Sequence, residues 1–130
     1  MPHYSERSKQ RIKECHMDLQ RLFFEVIKHF DCTITEGHRS REKQDQYFSE
    51  GLTQVKYPGS KHNAIPSLAV DATPYPVDYS DRERHTYFAG MVLGIASQMG
   101  IKIRWGGDWD RDTEVDDNRF DDLPHFELVE

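Results

Sequence analysis

A run of apolar residues at helical spacing near the N-terminus dominates this chain. Ile12, Cys15, Leu19, Leu22, Phe23, Val26, Ile27 and Phe30 recur at steps of three and four, with charged residues filling the positions between. The pattern predicts one amphipathic helix over 5–30, which needs a second apolar surface to cover it. The sequence offers that surface in short pieces. Asp31 to Thr35 alternates as a strand, and Leu68 to Thr73 is a strand stopped by Pro74 and Pro76. Ile101 to Trp105 is a strand ending in Gly106-Gly107, and His125 to Leu128 is a last short one. Ser40 is placed to cap a short helix that ends at Gly51, and Asp81 to Met99 is a second clear helix with Gly100 as its stop. Residues 52–67 read as loop, and 108–122 as acidic and irregular. Helices flanking a few short strands predict an α+β fold with a small antiparallel sheet. At 130 residues the chain suits a single domain over 1–130.

Charge and composition exclude several classes of function. A net charge of −6 argues against a grip on nucleic acid, which works by releasing many counterions, and against polybasic attachment to anionic membranes. No run approaches the roughly 18 apolar residues of a membrane helix. Residues 1–20 are polar throughout and lack the apolar core of a secretory signal, so the expectation is synthesis in the cytoplasm, with another exit route for any action outside it. Two cysteines, Cys15 and Cys32, cannot build a disulfide framework and match no metal motif; they are expected to be buried thiols.

One residue does not suit its strand. Asp71 sits among Val70, Ala72 and their apolar neighbours, where an unpaired carboxylate is costly to bury. Something charged must await it inside the domain, either a salt-bridge partner or a metal. His125 has the same character. In Pro124 to Leu128, Phe126 and Leu128 face the core while His125 and Glu127 face the other way, so His125 is either an ordinary hydrogen-bonded residue or a ligand. With His62, these residues supply the two-nitrogen, one-oxygen set of a catalytic zinc site, which keeps a fourth position open. The spacing forms no compact helical motif, and on the residues alone both readings stand.

Several segments taken in order resemble a known family. These are Thr35-Glu36-Gly37-His38-Arg39-Ser40 with Gln44, then Ser60-x-His62, then Ala69-Val70-Asp71-x-x-Pro74, then Trp105-Gly106-Gly107-Asp108-Trp109, and finally Phe120-x-Asp122-x-Pro124-His125-Phe126-Glu127-Leu128. The series is similar to the zinc peptidases that include the D,D-carboxypeptidases of vancomycin resistance and the phage L-alanyl-D-glutamate endolysins. The last two segments look closest to the L-alanyl-D-glutamate endopeptidase branch. One departure is visible: eight residues separate His62 from Asp71, more than the family usually has, and the extra ones fall around Ile65-Pro66-Ser67.

The resemblance implies a hedgehog/D,D-peptidase-like fold with one Zn2+ in a cleft, held by His62, Asp71 and His125. It implies Asp122 as the general base and acid, with Glu127 as rival for that role, and Arg39 as stabiliser of the oxyanion rather than a surface salt-bridge partner. Trp105 and Trp109 are either core aromatics or cleft walls, Asp108 is expected to orient a ligand histidine, and Ser60 is either an orienting partner or a loop hydroxyl. Alternating carboxylates over 108–117 suit a Ca2+ ion, although the glycine of an EF-hand loop is missing; a solvated acidic loop is the other reading. The implied substrate is the stem peptide of bacterial peptidoglycan. The implied setting is a monomeric phage endolysin released by a holin, or a virion-associated lysin. The alternatives are a D,D-carboxypeptidase trimming terminal D-alanine and a non-catalytic zinc-bearing binding domain. His3, His16, His29, His38 and His85 are assigned no role.

Overall fold

The computed structural model describes residues 2–114 and 122–129. Two helices, α1 (Glu6–Lys13) and α2 (Met17–Val26), lead into strand β1 (Cys32–Glu36) and helix α3 (Arg41–Ser49). A loop with a 3-10 turn at Lys61–Asn63 follows, then β2 (Ala69–Pro74), the long helix α4 (Arg82–Gln98), β3 (Ile103–Gly106) and β4 (Asp122–Leu128). The strands form one sheet in the order β1-β2-β4-β3, with every neighbouring pair antiparallel.

The single helix expected over 5–30 is in fact two. Cys15 forms an isolated bridge with Ser67, and the His16 amide donates to the Ser67 carbonyl at 2.8 Å. His16 then starts α2, its Nδ1 accepting from the Asp18 amide at 3.0 Å. Cys15 remains buried, so the apolar rhythm passes through the break undisturbed. A hydrogen bond to a residue far along the chain decides the interruption, and local periodicity does not register it. Other boundaries shift less. The β4 strand begins at Asp122 rather than His125, which brings the candidate base into the sheet. Ser40 caps α3 as expected, and Gly51 and Gly100 adopt positive φ of 74° and 73° just beyond α3 and α4.

One face of the sheet carries the core. Leu19, Leu22, Phe23 and Val26 of α2 and Phe88, Ala89, Val92 and Ala96 of α4 are buried with Ile34, Val70, Ala72, Ile103 and Phe126 of the strands. Phe126 meets Phe23 and Phe88 edge to face, with ring centroids 5.7 and 6.1 Å apart. Cys15 and Cys32 are buried, and burial pushes both thiols up to about 12, so neither is a nucleophile at neutral pH.

Candidate active site

The same strands present polar residues on their other face, and the register decides which ones meet. Asp71 of β2 pairs directly with His125 of β4, and across a bulge with Glu36 of β1. Arg104 of β3 pairs with Glu127 of β4. Residues directly opposite on antiparallel strands hold their side chains together. This alone brings Glu36, Asp71, His125, Glu127 and Arg104 into one polar patch.

His62 enters the patch from the 3-10 turn. Ser60 starts that turn, its hydroxyl accepting from the His62 amide and its own amide donating to the Asn63 side chain. The eight residues between His62 and Asp71 do not keep the two apart. The loop swings Ile65 and Pro66 into solvent, then anchors Ser67 against Cys15 and His16. His62 is 1% exposed, and its Nδ1 lies 2.7 Å from the Gly37 carbonyl. A carbonyl only accepts, so Nδ1 carries the proton and Nε2 presents a lone pair. Gly37 itself has no room for a side chain, because a Cβ there would collide with the Arg11 carbonyl.

His125 is fixed in the same manner from its other end. Its Nε2 lies 2.8 Å from Glu127 Oε1, which leaves Nδ1 facing inward. Three ligand atoms therefore converge: His62 Nε2 to Asp71 Oδ1 is 3.1 Å, His62 Nε2 to His125 Nδ1 is 3.2 Å, and His125 Nδ1 to Asp71 Oδ1 is 3.4 Å. Two nitrogen lone pairs and a carboxylate oxygen this close repel one another unless a proton or a cation lies among them. Bonds of about 2.0–2.1 Å at tetrahedral angles place ligand atoms roughly 3.3–3.4 Å apart, so the donor set fits zinc in kind and in spacing.

The charges shape one another. Burial acts to raise the Asp71 carboxyl, but His62 and His125 overcome it and hold Asp71 well below the usual carboxylate range. Burial acts to lower His125, yet its hydrogen bonds with Asp71 and Glu127 raise it to about 9. Glu127 falls to about 2: its burial opposes the shift, while His125 and Arg104 drive it. Asp122 moves the other way, raised by burial and by the Asp71 charge.

Asp122 and Glu127 occupy different sides of His125. Asp122 Oδ2 lies 3.9 Å from Nδ1, on the side of the ligand atoms, whereas Glu127 sits behind the ring at Nε2. Gly106 makes the position of Asp122 attainable, since a Cβ at 106 would strike the Asp122 carbonyl. Arg39 is 8% exposed and far from a surface turn residue. Its Nε donates to Glu36 at 2.6 Å, its NH1 donates to Gln44 Oε1 at 3.0 Å, its guanidinium lies over the Tyr47 ring, and NH2 stands 4.0 Å from Asp71. Gln44 is wholly buried and also donates to the Val55 carbonyl at 2.6 Å, tying Arg39 to the loop that lines the cleft.

A model for the family of phage L-alanyl-D-glutamate peptidases matches residues 2–129. The chain belongs to that family. The L-alanyl-D-glutamate peptidase of Escherichia phage T5 is 27% identical over 135 residues, with 97% of each chain covered. The peptidoglycan L-alanyl-D-glutamate endopeptidase CwlK of Bacillus subtilis strain 168 is 31% identical over 117 residues, covering 78% of this chain and 63% of that protein. The crystal structure of the Serratia marcescens L-Ala D-Glu endopeptidase ChiX matches with a TM-score of 0.77 at 26% identity, over 98% of this chain and 90% of that one. The α+β fold with its antiparallel sheet is thus the fold of an L-alanyl-D-glutamate endopeptidase, as the resemblance implied.

Within this peptidase family member the remaining expected residues divide. Trp109 lies in the cleft wall, its ring 5.4 Å from that of His125. Trp105 belongs to the core and donates from Nε1 to the Leu123 carbonyl at 2.7 Å. Asp108 does not take the place expected beside a ligand histidine. Its carboxylate accepts from the Thr113 and Asp112 amides, bracing its own loop, while Gly37 and Glu127 orient the histidines. Ser60 serves the turn's backbone rather than the ring. Carboxylate oxygens of Asp108, Asp110 and Asp112 lie within 4.8 Å of one another, but two of the three residues are exposed, and nothing else among the described residues supports a Ca2+ ion. Phe120, Asp116 and Asp117 lie outside the described residues. Sequence reasoning gave no role to Glu36, Asn63, Lys61 or Arg104. Arg104 carried a signal: like Asp71, it is a charge between apolar strand residues, Ile103 and Trp105.

Proposed function

We propose that this chain is a zinc-dependent endopeptidase that hydrolyses the L-alanyl-D-glutamate bond of peptidoglycan stem peptides. The observation that carries the reading is the convergence of His62 Nε2, Asp71 Oδ1 and His125 Nδ1, with each histidine oriented by a further hydrogen bond, His62 to the Gly37 carbonyl and His125 to Glu127. Both curated relatives and the structural neighbour are named for this bond, which favours it over a terminal D-alanyl bond. His62, Asp71 and His125 would hold the metal, which when bound would acidify water and polarise the scissile carbonyl. Asp122 takes the proton from the attacking water and returns it to the leaving amine of D-glutamate. Its place on the ligand-atom side of His125 supports this assignment over Glu127. Arg39, fixed by Glu36 and Gln44, presents its guanidinium to the oxyanion of the tetrahedral intermediate. A non-catalytic zinc domain would have no use for Asp122 and Arg39 beside a three-ligand site. As a phage endolysin it would reach the wall of an infected cell through membrane lesions made by a partner such as a holin.

The test is digestion of purified peptidoglycan, with metal content measured by elemental analysis. About one zinc per chain, chelator-sensitive cleavage and new amino termini on D-glutamate are expected. Cleavage indifferent to chelators, or new termini elsewhere in the stem, would overturn the reading.

A further inference from the structure

The cleft above His62 and His125 encloses about 300 Å³, and its charge is lopsided. Lys61 and Arg104 both line it and converge on one oxygen, Glu127 Oε2, at 3.5 and 2.7 Å. The other oxygen of Glu127 is committed to His125. One carboxylate thus stands against two permanent cations, leaving a local positive surplus in a chain whose net charge is −6. Arg39 and Asp122, which also line the cleft, add one charge of each sign, and Thr53, Gln54, Val55 and Gly59 are uncharged, so the surplus stands.

Arg104 is built to receive a carboxylate. Its guanidinium lies 5.5 Å from the Trp109 ring centre, with NH2 bonded to Glu127 and NH1 3.4 Å from the Trp109 carbonyl. Its Nε is buried and has no hydrogen-bond partner among the described residues. A guanidinium has five N–H donors in a planar fork; two are committed and the Nε–H is buried, which leaves two, one on each terminal nitrogen. The side chain is 37% exposed and lines the cleft, so those two are open to a ligand. A planar cation already held in place loses little freedom when it binds a carboxylate in fork geometry.

The scissile bond proposed above has matching asymmetry. On its acyl side stands alanine, which is uncharged. On its amine side stands D-glutamate, which keeps a free carboxylate whichever of its two carboxyls continues the chain. We propose that Arg104, with Lys61 beside it, binds that free carboxylate on the leaving-group side. The pair sets both the preference for glutamate and the direction in which the stem peptide lies across the metal corner. The inference rests on the endopeptidase reading, and the cation pair adds what the metal ligands do not supply, namely discrimination between stem peptides.

The experiment uses the zinc-loaded enzyme and two synthetic peptides. One is an N-acylated L-alanyl-D-glutamyl peptide, and the other is identical except that its free glutamyl carboxylate is a primary amide. Wild type is expected to cleave the acid with kcat/KM about 10- to 100-fold above the amide, the worth of a hydrogen bond to a charged group. Arg104→Gln should lose that advantage by slowing on the acid alone, Arg104→Lys should retain part of it, and Lys61→Gln should lower it to a smaller degree. If Arg104 only steadies Glu127 and His125, Arg104→Gln will slow both peptides in proportion, and the inference falls. Equal cleavage of acid and amide by wild type overturns it as well, whether or not any variant folds. Failure of wild type to cut either peptide is a distinct outcome, which removes the endopeptidase reading and this inference with it.

Discussion

The two faces of the sheet are made from the same strands, residue by alternate residue, and they obey different rules. On one face Val70, Ala72, Ile103 and Phe126 pack against α2 and α4, where burial is non-directional and a partner can be any apolar surface of the right volume. On the other face Asp71, His125, Glu127 and Arg104 are spaced by the same register, but each side chain is directed at a particular neighbour. His125 and Phe126 are adjacent in sequence, 6% and 0% exposed. Burial alone does not tell them apart. The apolar face sets how stable the domain is, and the polar face sets what it does.

Substitutions on the two faces should therefore separate activity from stability. His125→Ala removes a metal ligand and should lower peptidoglycan hydrolysis by about 1000-fold or more, given the several kcal/mol a metal supplies to a transition state. Metal content should fall with it while the unfolding midpoint of the chelated protein changes little. Its neighbour Phe126→Ala should do the reverse, costing about 3–5 kcal/mol in denaturant unfolding with metal stoichiometry intact in the fraction that stays folded. Glu127→Gln keeps the shape but weakens the hold on His125, and should reduce zinc affinity about 10- to 100-fold in a competition titration with a chelator. Ile103→Val trims one methylene from the apolar face and should cost about 0.5–1.5 kcal/mol without altering zinc affinity or cleavage rate. If Ile103→Val disturbed zinc affinity as strongly as Glu127→Gln, the division between the faces would not hold.

Much of this was readable from the residues. Asp71 announced itself because a carboxylate inside an apolar strand demands a partner, and His125 shares its register row. The helix over 81–99 and the stops at Gly51 and Gly100 follow from local chemistry and fall where expected. The failures have a common cause. The division of the first helix depends on the backbone bonds of Glu14 and His16 with Ser67, which join segments distant in sequence. Trp105 and Trp109 look alike around Gly106-Gly107, yet strand parity puts Trp105 with Ile103 in the core, while Trp109 lies past the strand end at the cleft. The role of Arg104 is not legible in the sequence, because a lone strand cation has many harmless explanations. Only the pairing with Glu127 gives it a destination.

The junction between α1 and α2 has a bearing on how such enzymes can be recombined. Residues 11–16 carry no catalytic group, but they support both loops from which His62 is held. The Arg11 carbonyl presses on Gly37, the Glu14 side chain accepts from the His38 amide, and the Glu14 and His16 backbones clasp Ser67. Tyr4, farther upstream, is buried with its hydroxyl on the Phe23 carbonyl. A designer who grafts a wall-targeting module onto this scaffold should join it ahead of Tyr4. A splice at the start of α2 would keep every residue of the chemistry and discard the clamp that aims them.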